Sequence, residues 1–414
     1  MQRPARSSPQ VLTAGSIQVF DSLSGELLPL PCSLGEAGQL ELRLYVCGVT
    51  PYDTGHMGHA FTFLSFDVLV RWAEANGIRV RYVQNVTDVD DPLFERARRD
   101  GVDWQELGGR ETGRLLRDME LLGWRAPDHM PMVSGEMDRI IEAVERLAGL
   151  GCAYQTDRVY FPVRSYPGYG ELSKLTRLAM TRKLSSEGLL GEVGPDAKRD
   201  PLDFPLWRPS DPGEPAWPSA FGPGRPGWHI ECSAMAMHYL GEQVDVHGGG
   251  RDLRYSHHES ERAQSETLTG VAPFARAWMH VGMVSFAGHK MSKSLGNLVV
   301  VEDVLARFPP AAVRLYLASH HYRRDWSFTW EGLEAASRLC SRLAHLLGSE
   351  PNQGAEWGAG EPAQGELEGA FGRALDHDLD TAAALGVLRR AVSQGVRESA
   401  RWMTSILCGS AALR

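Results

Sequence analysis

Three side chains stand out for the chemistry they could do together. Cys47 closes a short apolar run. Cys232 lies in the segment RPGWHIECSAMAMHYLG (225–241), and His257 opens HHESERAQSE (257–266). Zinc takes thiolate and imidazole ligands, and a catalytic zinc keeps one position open for substrate. Glu261 lies four residues after His257, so on a helix the two share a face and Glu261 could be a fourth ligand. Taken singly, these residues have a plainer reading as two core cysteines and a solvated histidine, because free cysteine is among the most buried residue types.

A second set suits a phosphorylated nucleotide. His56 and His59 stand three apart where a helix would begin, and could aim ring N–H groups at phosphate with the helix N-terminus assisting. Lys290 and Lys293 flank Met291 and Ser292 in a loop bracketed by Gly288 and Gly296. Such a loop can close on a triphosphate and neutralise the charge that develops as pyrophosphate leaves. Gly248, Gly249 and Gly250 read as a turn after a short strand that lets a base or ribose approach closely, with Asp252 placed for a ribose hydroxyl. Trp228, beside Gly227 and His229, suits the wall of a small pocket. Asp88, Asp90 and Asp91 could bind Mg²⁺, although acids clustered after a strand commonly turn and cap the chain. Alone, the histidine pair reads equally as surface residues and the lysine pair as solvated charge. The chain holds neither GxxxxGK[ST] nor GxGxxG, so the two commonest phosphate cradles are absent.

The elements that position these residues follow from periodicity. Residues 17–41 read as short strands and turns, with Ser24-Gly25 as a hairpin. The apolar strand 42–46 leads to Cys47, 61–75 has helical spacing stopped at Asn76-Gly77, and 79–86 is the next strand. This strand–loop–helix–strand unit implies parallel pairing. Ligands of such sheets gather beyond the carboxyl ends of the strands, where Cys47, His56, His59, Asn85 and Thr87 fall. Residues 92–122 and 136–150 read as amphipathic helices and 154–162 as a strand pair. The stretch 165–217 is rich in Gly, Pro and Ser with weak periodicity, and reads as an inserted loop region. After it come a helix at 231–240, a strand at 244–247, a helix at 259–269 stopped by Gly270, and a strand at 278–284. Residues from 311 onward read as helical, broken by a Gly/Pro/Glu linker at 349–364.

At 414 residues the chain is long enough for two or three domains. No apolar run spans a bilayer, and MQRPARSSPQ lacks the apolar stretch of a secretory signal, so it reads as a frayed leader. The net charge of −9 argues against a large nucleic-acid footprint. The six cysteines are scattered without a disulfide pattern, which places the chain in a reducing cytoplasm.

Read together, CGVTPYDTGHMGHAFT, YVQNVTDVDDPLFERA, RPGWHIECSA, HGGGRDL, HHE and HKMSKSLGN resemble the class I cysteine-activating enzymes, over roughly residues 42 to 385. That family includes cysteinyl-tRNA synthetase and the ligase that joins cysteine to glucosaminyl-inositol in mycothiol synthesis. The resemblance implies an α/β fold: a Rossmann-type parallel-sheet catalytic domain over 42–305, with an inserted connective region at about 92–225. Strands and leader at 1–41 precede it, and a helical bundle at 306–414 follows without an anticodon-binding domain. It implies activation of L-cysteine by ATP, with Mg²⁺, as cysteinyl-AMP. His56 and His59 match the HIGH-type signature, and Lys290 and Lys293 match KMSKS. Cys47, Cys232 and His257 match ligands of one Zn²⁺ per chain. Cys47, Gly48, Val49, Thr50, Thr62, Asn85, Val86, Thr87, Trp228, Gly250, Arg251, Asp252 and Val284 match positions that hold the cysteinyl adenylate in the mycothiol-pathway ligase.

The acceptor expected from the resemblance is the amine of 1D-myo-inositol 2-amino-2-deoxy-α-D-glucopyranoside. The TPYDTGHMGHA wording, DDPLFERARRDGVDWQELGGRET and the short stretch of 34 residues after Asp380 resemble that ligase. YGELSKL, KRDPLDF, AQSE and Glu261 resemble the tRNA synthetase instead, and the ligase's ERGGDP motif has no clear match at 186–191. A cysteinyl-tRNA synthetase without its anticodon-binding domain, or a cysteinyl ligase for another amine or a carrier protein, therefore stays as the alternative. Both a monomer and a homodimer remain open, and no membrane partner is expected.

Overall fold

The computed structural model describes residues 12–53, 55–186, 198–291, 296–348 and 360–409. The expected leader, Lys293 and the 349–359 part of the linker lie outside the described residues, as does most of the segment compared with ERGGDP.

The chain begins with a hairpin, β1 (Leu12–Asp21) and β2 (Glu26–Leu34), whose turn passes through Gly25 at φ +81°, a conformation that favours glycine. Then come β3 (Leu40–Val49), helix α1 (Met57–Ala75) and β4 (Arg79–Val86). Helices α2 (Asp91–Asp100), α3 (Trp104–Leu121) and α4 (Met137–Gly149) follow. Short strands β5 (Tyr154–Gln155) and β6 (Val159–Phe161), helix α5 (Arg177–Ser186), and strands β7 (Phe204–Arg208) and β8 (Arg225–Pro226) make a separate antiparallel sheet ordered β5-β6-β7-β8. The chain returns to the main sheet through α6 (Trp228–Leu240), β9 (Val244–Gly250), α7 (His257–Thr269) and β10 (Ala275–Val281). Next are β11 (Val284–Phe286), β12 (His289–Lys290), α8 (Val301–Leu305), α9 (Pro310–Ala318), β13 (Trp326–Phe328) and α10 (Trp330–Gly348). Helices α11 (Gly360–Asp376), α12 (Thr381–Ser393) and α13 (Arg397–Cys408) close the described chain.

The main sheet has a parallel centre, β4-β3-β9-β10, with the β1–β2 hairpin joined antiparallel at the start of β3. Successive side chains on a strand face opposite sides, and this sheet has a core on each. Leu42, Leu44 and Val46 of β3 pack into one core with α1 and the C-terminal helices. Tyr45 and Cys47 pack into the other, with α4, α6, α7 and the small sheet. The pleat therefore delivers the Cys47 thiol to the α6–α7 side. The helices from α9 to α13 share the first core with α1, so they brace the catalytic sheet directly.

Two local expectations change. The 165–217 stretch carries α5 and β7 rather than loop alone. Its sequence signal is weak because α5 buries only Met180 and Leu184 among its residues, and β7 is fixed by long-range pairing of Phe204 with Phe161. The triple glycine is not a turn but the end of β9, paired with Met279, His280 and Val281 of β10. A Cβ on Gly248 would lie 2.3 Å from the Phe66 ring and 2.8 Å from the Met279 carbonyl oxygen, so this glycine lets α1 press onto the sheet.

Candidate active site

Cys47 comes from the end of β3, Cys232 from the second turn of α6, and His257 and Glu261 from the first two turns of α7. One sulfur, nitrogen or oxygen of each lies within 4.8 Å of those of the others, and all four residues are buried. The Cys47 Sγ is 3.4 Å from Glu261 Oε1, and His257 Nε2 is 2.8 Å from the same oxygen. A tetrahedral ion with bonds of 2.0–2.3 Å holds its ligand atoms roughly 3.3–3.8 Å apart. Two sulfurs, an imidazole and a carboxylate at this spacing fit a borderline-soft divalent cation such as zinc.

The backbone around Cys47 is shaped for this role. The β3–β4 ladder breaks register between Val46 and Val49. There the Gly48 N–H donates to Asn85 Oδ1 at 2.9 Å, and a Cβ on Gly48 would fall 1.6 Å from the Asn85 carbonyl oxygen. Only glycine permits that approach. The Asn85 Oδ1 also lies 3.6 Å from Cys232 Sγ, while its Nδ2 donates to Thr87 Oγ1 at 3.0 Å.

Burial opposes ionisation throughout the cluster, and neighbouring charges decide the outcome. Burial would raise the Cys232 thiol, yet the Cys47 hydrogen bond and the His257 imidazolium bring it down to about 6. Cys47 is raised, first by burial and then by the adjoining Cys232 thiolate and Glu261. Burial would lower His257, but Glu261 and Cys232 lift it to about 10. Glu261 is held well below the ordinary range, against burial, by His247 and His257. Of the two thiols, Cys232 is thus the readier to ionise, beside the His257 imidazole.

Histidines form the layer behind it. His247 Nε2 lies 3.0 Å from Glu261 Oε2, and His229 Nδ1 lies 3.1 Å from His257 Nδ1. With His257 Nε2 turned to the cluster, its Nδ1–H donates to His229, the outer hydrogen bond that fixes the tautomer of a metal-binding imidazole. Burial, with His257 next, lowers His229 to about 3, so it stays neutral and able to accept. Farther back, His258 Nδ1 pairs with His280 Nε2 at 2.8 Å, and His280 Nδ1 with Ser22 Oγ at 2.8 Å.

The cluster forms one end of a cleft of about 570 Å³, within the range of nucleotide-sized pockets. Cys47, Gly48, Val49, Thr50, His56, His59, Thr62, Thr87, Trp228, Cys232, Gly250, Asp252, His257 and Val284 all line it. Asn85 and Val86 stand behind the wall as buried supports. Arg251 turns away, its Nη1 3.0 Å from Asp325 Oδ2. His56 caps α1, its Nδ1 accepting from the Gly58 N–H at 3.0 Å, and its ring stacks on His59 at 3.8 Å between centroids. Trp228 stacks on His257 at 4.2 Å and 28°, bridging the cluster and the open cleft.

Sequence reasoning missed Tyr52, Asp53, Phe63, Leu253 and Met291 in the lining, and the histidine layer altogether. Tyr52 and Asp53 lie between Thr50 and His56, so their place in the loop was the available signal. His247 sits opposite Tyr45 in the β3–β9 register, on the Cys47 side of the sheet, so strand parity could have found it. The three acids after β4 are engaged by protein partners. Asp90 caps α2, Asp88 accepts from the Ser134 N–H at 2.9 Å, and Asp91 pairs with Arg208 and Arg225.

A parallel sheet with a nucleotide-sized cleft at its carboxyl edge, a histidine-capped helix and a thiol-bearing cation cluster define a class I synthetase-type catalytic domain. The chain belongs to the tRNA synthetases class I (C) catalytic domain family, whose profile matches residues 34–338. It is 48% identical over 315 residues to the L-cysteine:1D-myo-inositol 2-amino-2-deoxy-alpha-D-glucopyranoside ligase of Frankia casuarinae, covering 76% of this chain and 66% of that protein. To the ligase of the same name from Thermomonospora curvata it is 42% identical, over 95% of this chain and 93% of that one. It is also 44% identical to the cysteine–tRNA ligase of Anaeromyxobacter sp. strain K, over 92% of this chain and 78% of that one. Among solved structures it resembles Mycobacterium tuberculosis methionyl-tRNA synthetase in complex with methionyl-adenylate, with a TM-score of 0.64 at 14% identity, over 90% of this chain and 92% of that one. That likeness concerns the fold.

Proposed function

We propose that this chain is an AMP-forming cysteine ligase. It activates L-cysteine with ATP as cysteinyl-AMP and joins it to the amine of 1D-myo-inositol 2-amino-2-deoxy-α-D-glucopyranoside. The observation that carries cysteine as substrate is the Cys47–Cys232–His257–Glu261 cluster opening into the cleft beside Trp228. The acceptor rests on the names of four relatives, one of which matches nearly end to end.

Cys47, Cys232 and His257 would hold zinc, with Glu261 as a fourth ligand or as the group that substrate displaces. Held by these residues, zinc would supply a soft Lewis-acid site that favours a substrate thiolate over the hydroxyl of serine or the methyl of alanine. Shape alone would separate such side chains by only about 10²-fold. The rest of the activation is alignment and charge stabilisation by the chain itself. Trp228 walls the side-chain pocket. His56 and His59 meet the phosphates, Lys290 and Lys293 offset charge on the leaving pyrophosphate, and Asp252 takes the ribose. Mg²⁺ accompanies ATP. The six cysteines are unpaired, in keeping with a place in the cytoplasm, and no helix among the described residues is long and apolar enough to cross a membrane.

A second reading, charging of tRNA, is favoured by Glu261 within the cluster and by the cysteine–tRNA ligases among the relatives. One experiment separates them. Purified protein is given ATP, labelled cysteine and either the amino-sugar or tRNA. Label in the amide supports the ligase; label in tRNA replaces it with the synthetase.

A further inference from the structure

A smaller chamber of about 160 Å³ adjoins the cleft and shares Trp228 with it. Neither the cysteine cluster nor the phosphate-facing residues use it. Its polar lining includes Glu231, Asp90, Arg158 and Lys198, and its walls include Tyr160, Phe204 and Leu184. The volume holds roughly ten water positions, the scale of one hexosamine ring.

Glu231 is 1% exposed, and its Oε2 has no hydrogen-bond partner among the described residues. The guanidiniums of the lining pair elsewhere, Arg208 with Asp91, Arg225 with Asp91 and with Glu214 at 2.8 Å, and Arg158 with Asp157 at 3.7 Å. A buried polar atom left without a partner is costly, and in a native site it calls for an explanation. Asp90 ties the chamber to the cleft, since its Oδ2 accepts from Thr50 Oγ1 at 2.9 Å and Thr50 lines the cleft. Aromatic walls suit the C–H faces of a sugar ring, and two buried carboxyl groups can accept from its hydroxyl and amine donors.

We propose that this chamber seats the amino-sugar ring of the acceptor, with Glu231 and Asp90 accepting from its hydroxyl donors and its amine directed past the shared Trp228 edge to the activated cysteine in the cleft. The assignment rests on the amide-ligase reading above. It explains why a carboxylate one residue from a cluster ligand is kept without a protein partner. It also separates the acceptor from the activation chemistry, so the two can be perturbed independently.

The test uses the full-length enzyme with two readouts, cysteine-dependent ATP–pyrophosphate exchange and amide formation with varied 1D-myo-inositol 2-amino-2-deoxy-α-D-glucopyranoside. Glu231→Gln should raise the KM for the amino-sugar about tenfold, leave the KM for cysteine and the exchange rate within about twofold, and be partly rescued by Glu231→Asp. Leu184→Trp fills the chamber from α5 without altering a cluster residue, and should give the same split; it decides the matter if Glu231→Gln does not fold. Wild-type KM for the amino-sugar in Leu184→Trp, or a parallel fall of exchange and amide formation in both variants, overturns the assignment. A wild-type enzyme that exchanges pyrophosphate yet forms no amide with this amino-sugar instead overturns the ligase reading, and the chamber's assignment goes with it.

Discussion

Two groups of charged side chains in this molecule are equally removed from water but are completed differently. Asp67 of α1 and Arg314 of α9 meet beneath the sheet, both essentially unexposed. Arg314 also donates to the Leu407 and Leu122 carbonyl oxygens at 2.9 and 3.1 Å, and Asp67 accepts from Arg71 Nε at 2.9 Å and the Arg125 N–H at 2.6 Å. Every strong donor there has a protein acceptor, and the result ties α1, α9, α13 and the end of α3 together. The Cys47–Cys232–His257–Glu261 group has charges and thiols pressed on one another, and the adjoining His247 Nδ1 has no hydrogen-bond partner among the described residues. Buried charge that the chain satisfies itself is architecture. Buried charge that the chain leaves short of counter-charge is a receptor.

Breaking each group should therefore damage a different property. The largest effect is expected from Cys232→Ala, which removes a thiolate from the proposed zinc and should lower cysteine-dependent pyrophosphate exchange by about 10³-fold or more, the loss of several kcal/mol of metal-derived stabilisation. Exchange within tenfold of wild type, or full exchange by protein stripped of zinc, would remove cysteine binding from this cluster. Next is Arg314→Met. Removing one partner of a buried ion pair costs about 3–5 kcal/mol, so the urea midpoint should fall sharply. Exchange per folded molecule should stay near wild type. Unchanged urea unfolding would mean that this pair is not the clamp described.

The contrast also explains what the sequence could disclose. The cluster was legible because its residue types are rare and their chemistry narrow; two cysteines and a histidine on separate elements converge for few reasons. The β3–α1–β4 unit was legible because LRLYV and the helical run at 61–75 carry clear periods. Asp67 was not legible, since one aspartate in an apolar helix has no visible partner until Arg314 folds back from 247 positions away. The same holds for β7, whose partners lie across an excursion, and for Gly248, whose reason is the Phe66 ring rather than a ligand. Local period and rare chemistry survive in one dimension; steric fit between distant segments does not.

A smaller effect should come from the layer behind the cluster. His229→Phe removes the acceptor of the His257 Nδ1–H, and loss of such an outer partner typically costs 10–100-fold in metal affinity or activity. Zinc affinity measured by competition with a chromophoric chelator should fall within that range while the urea midpoint of the zinc-loaded protein barely moves. An unaltered zinc affinity would leave His229 as packing only.

The smallest effect concerns acid. Burial alone would raise the Asp67 carboxyl, but Arg314, Arg71 and the Arg125 N–H outweigh it and hold the group below the ordinary carboxylate range. In the unfolded chain an aspartate titrates near 3.9. Where the folded value is the lower one, the unfolded chain takes up the proton first, so acid favours unfolding. The stabilisation is present above about pH 4 and is lost as pH falls through the depressed folded value. Urea midpoints compared at successively lower pH should therefore decline more steeply for wild type than for Asp67→Asn, which is less stable at neutrality but has no proton to gain at this position. Arg314→Met should decline less steeply than wild type, because the strongest interaction opposing burial of the carboxylate is gone. Parallel acid profiles for all three proteins would show that the ion pair, although buried and fully hydrogen-bonded, does not link folding to protonation.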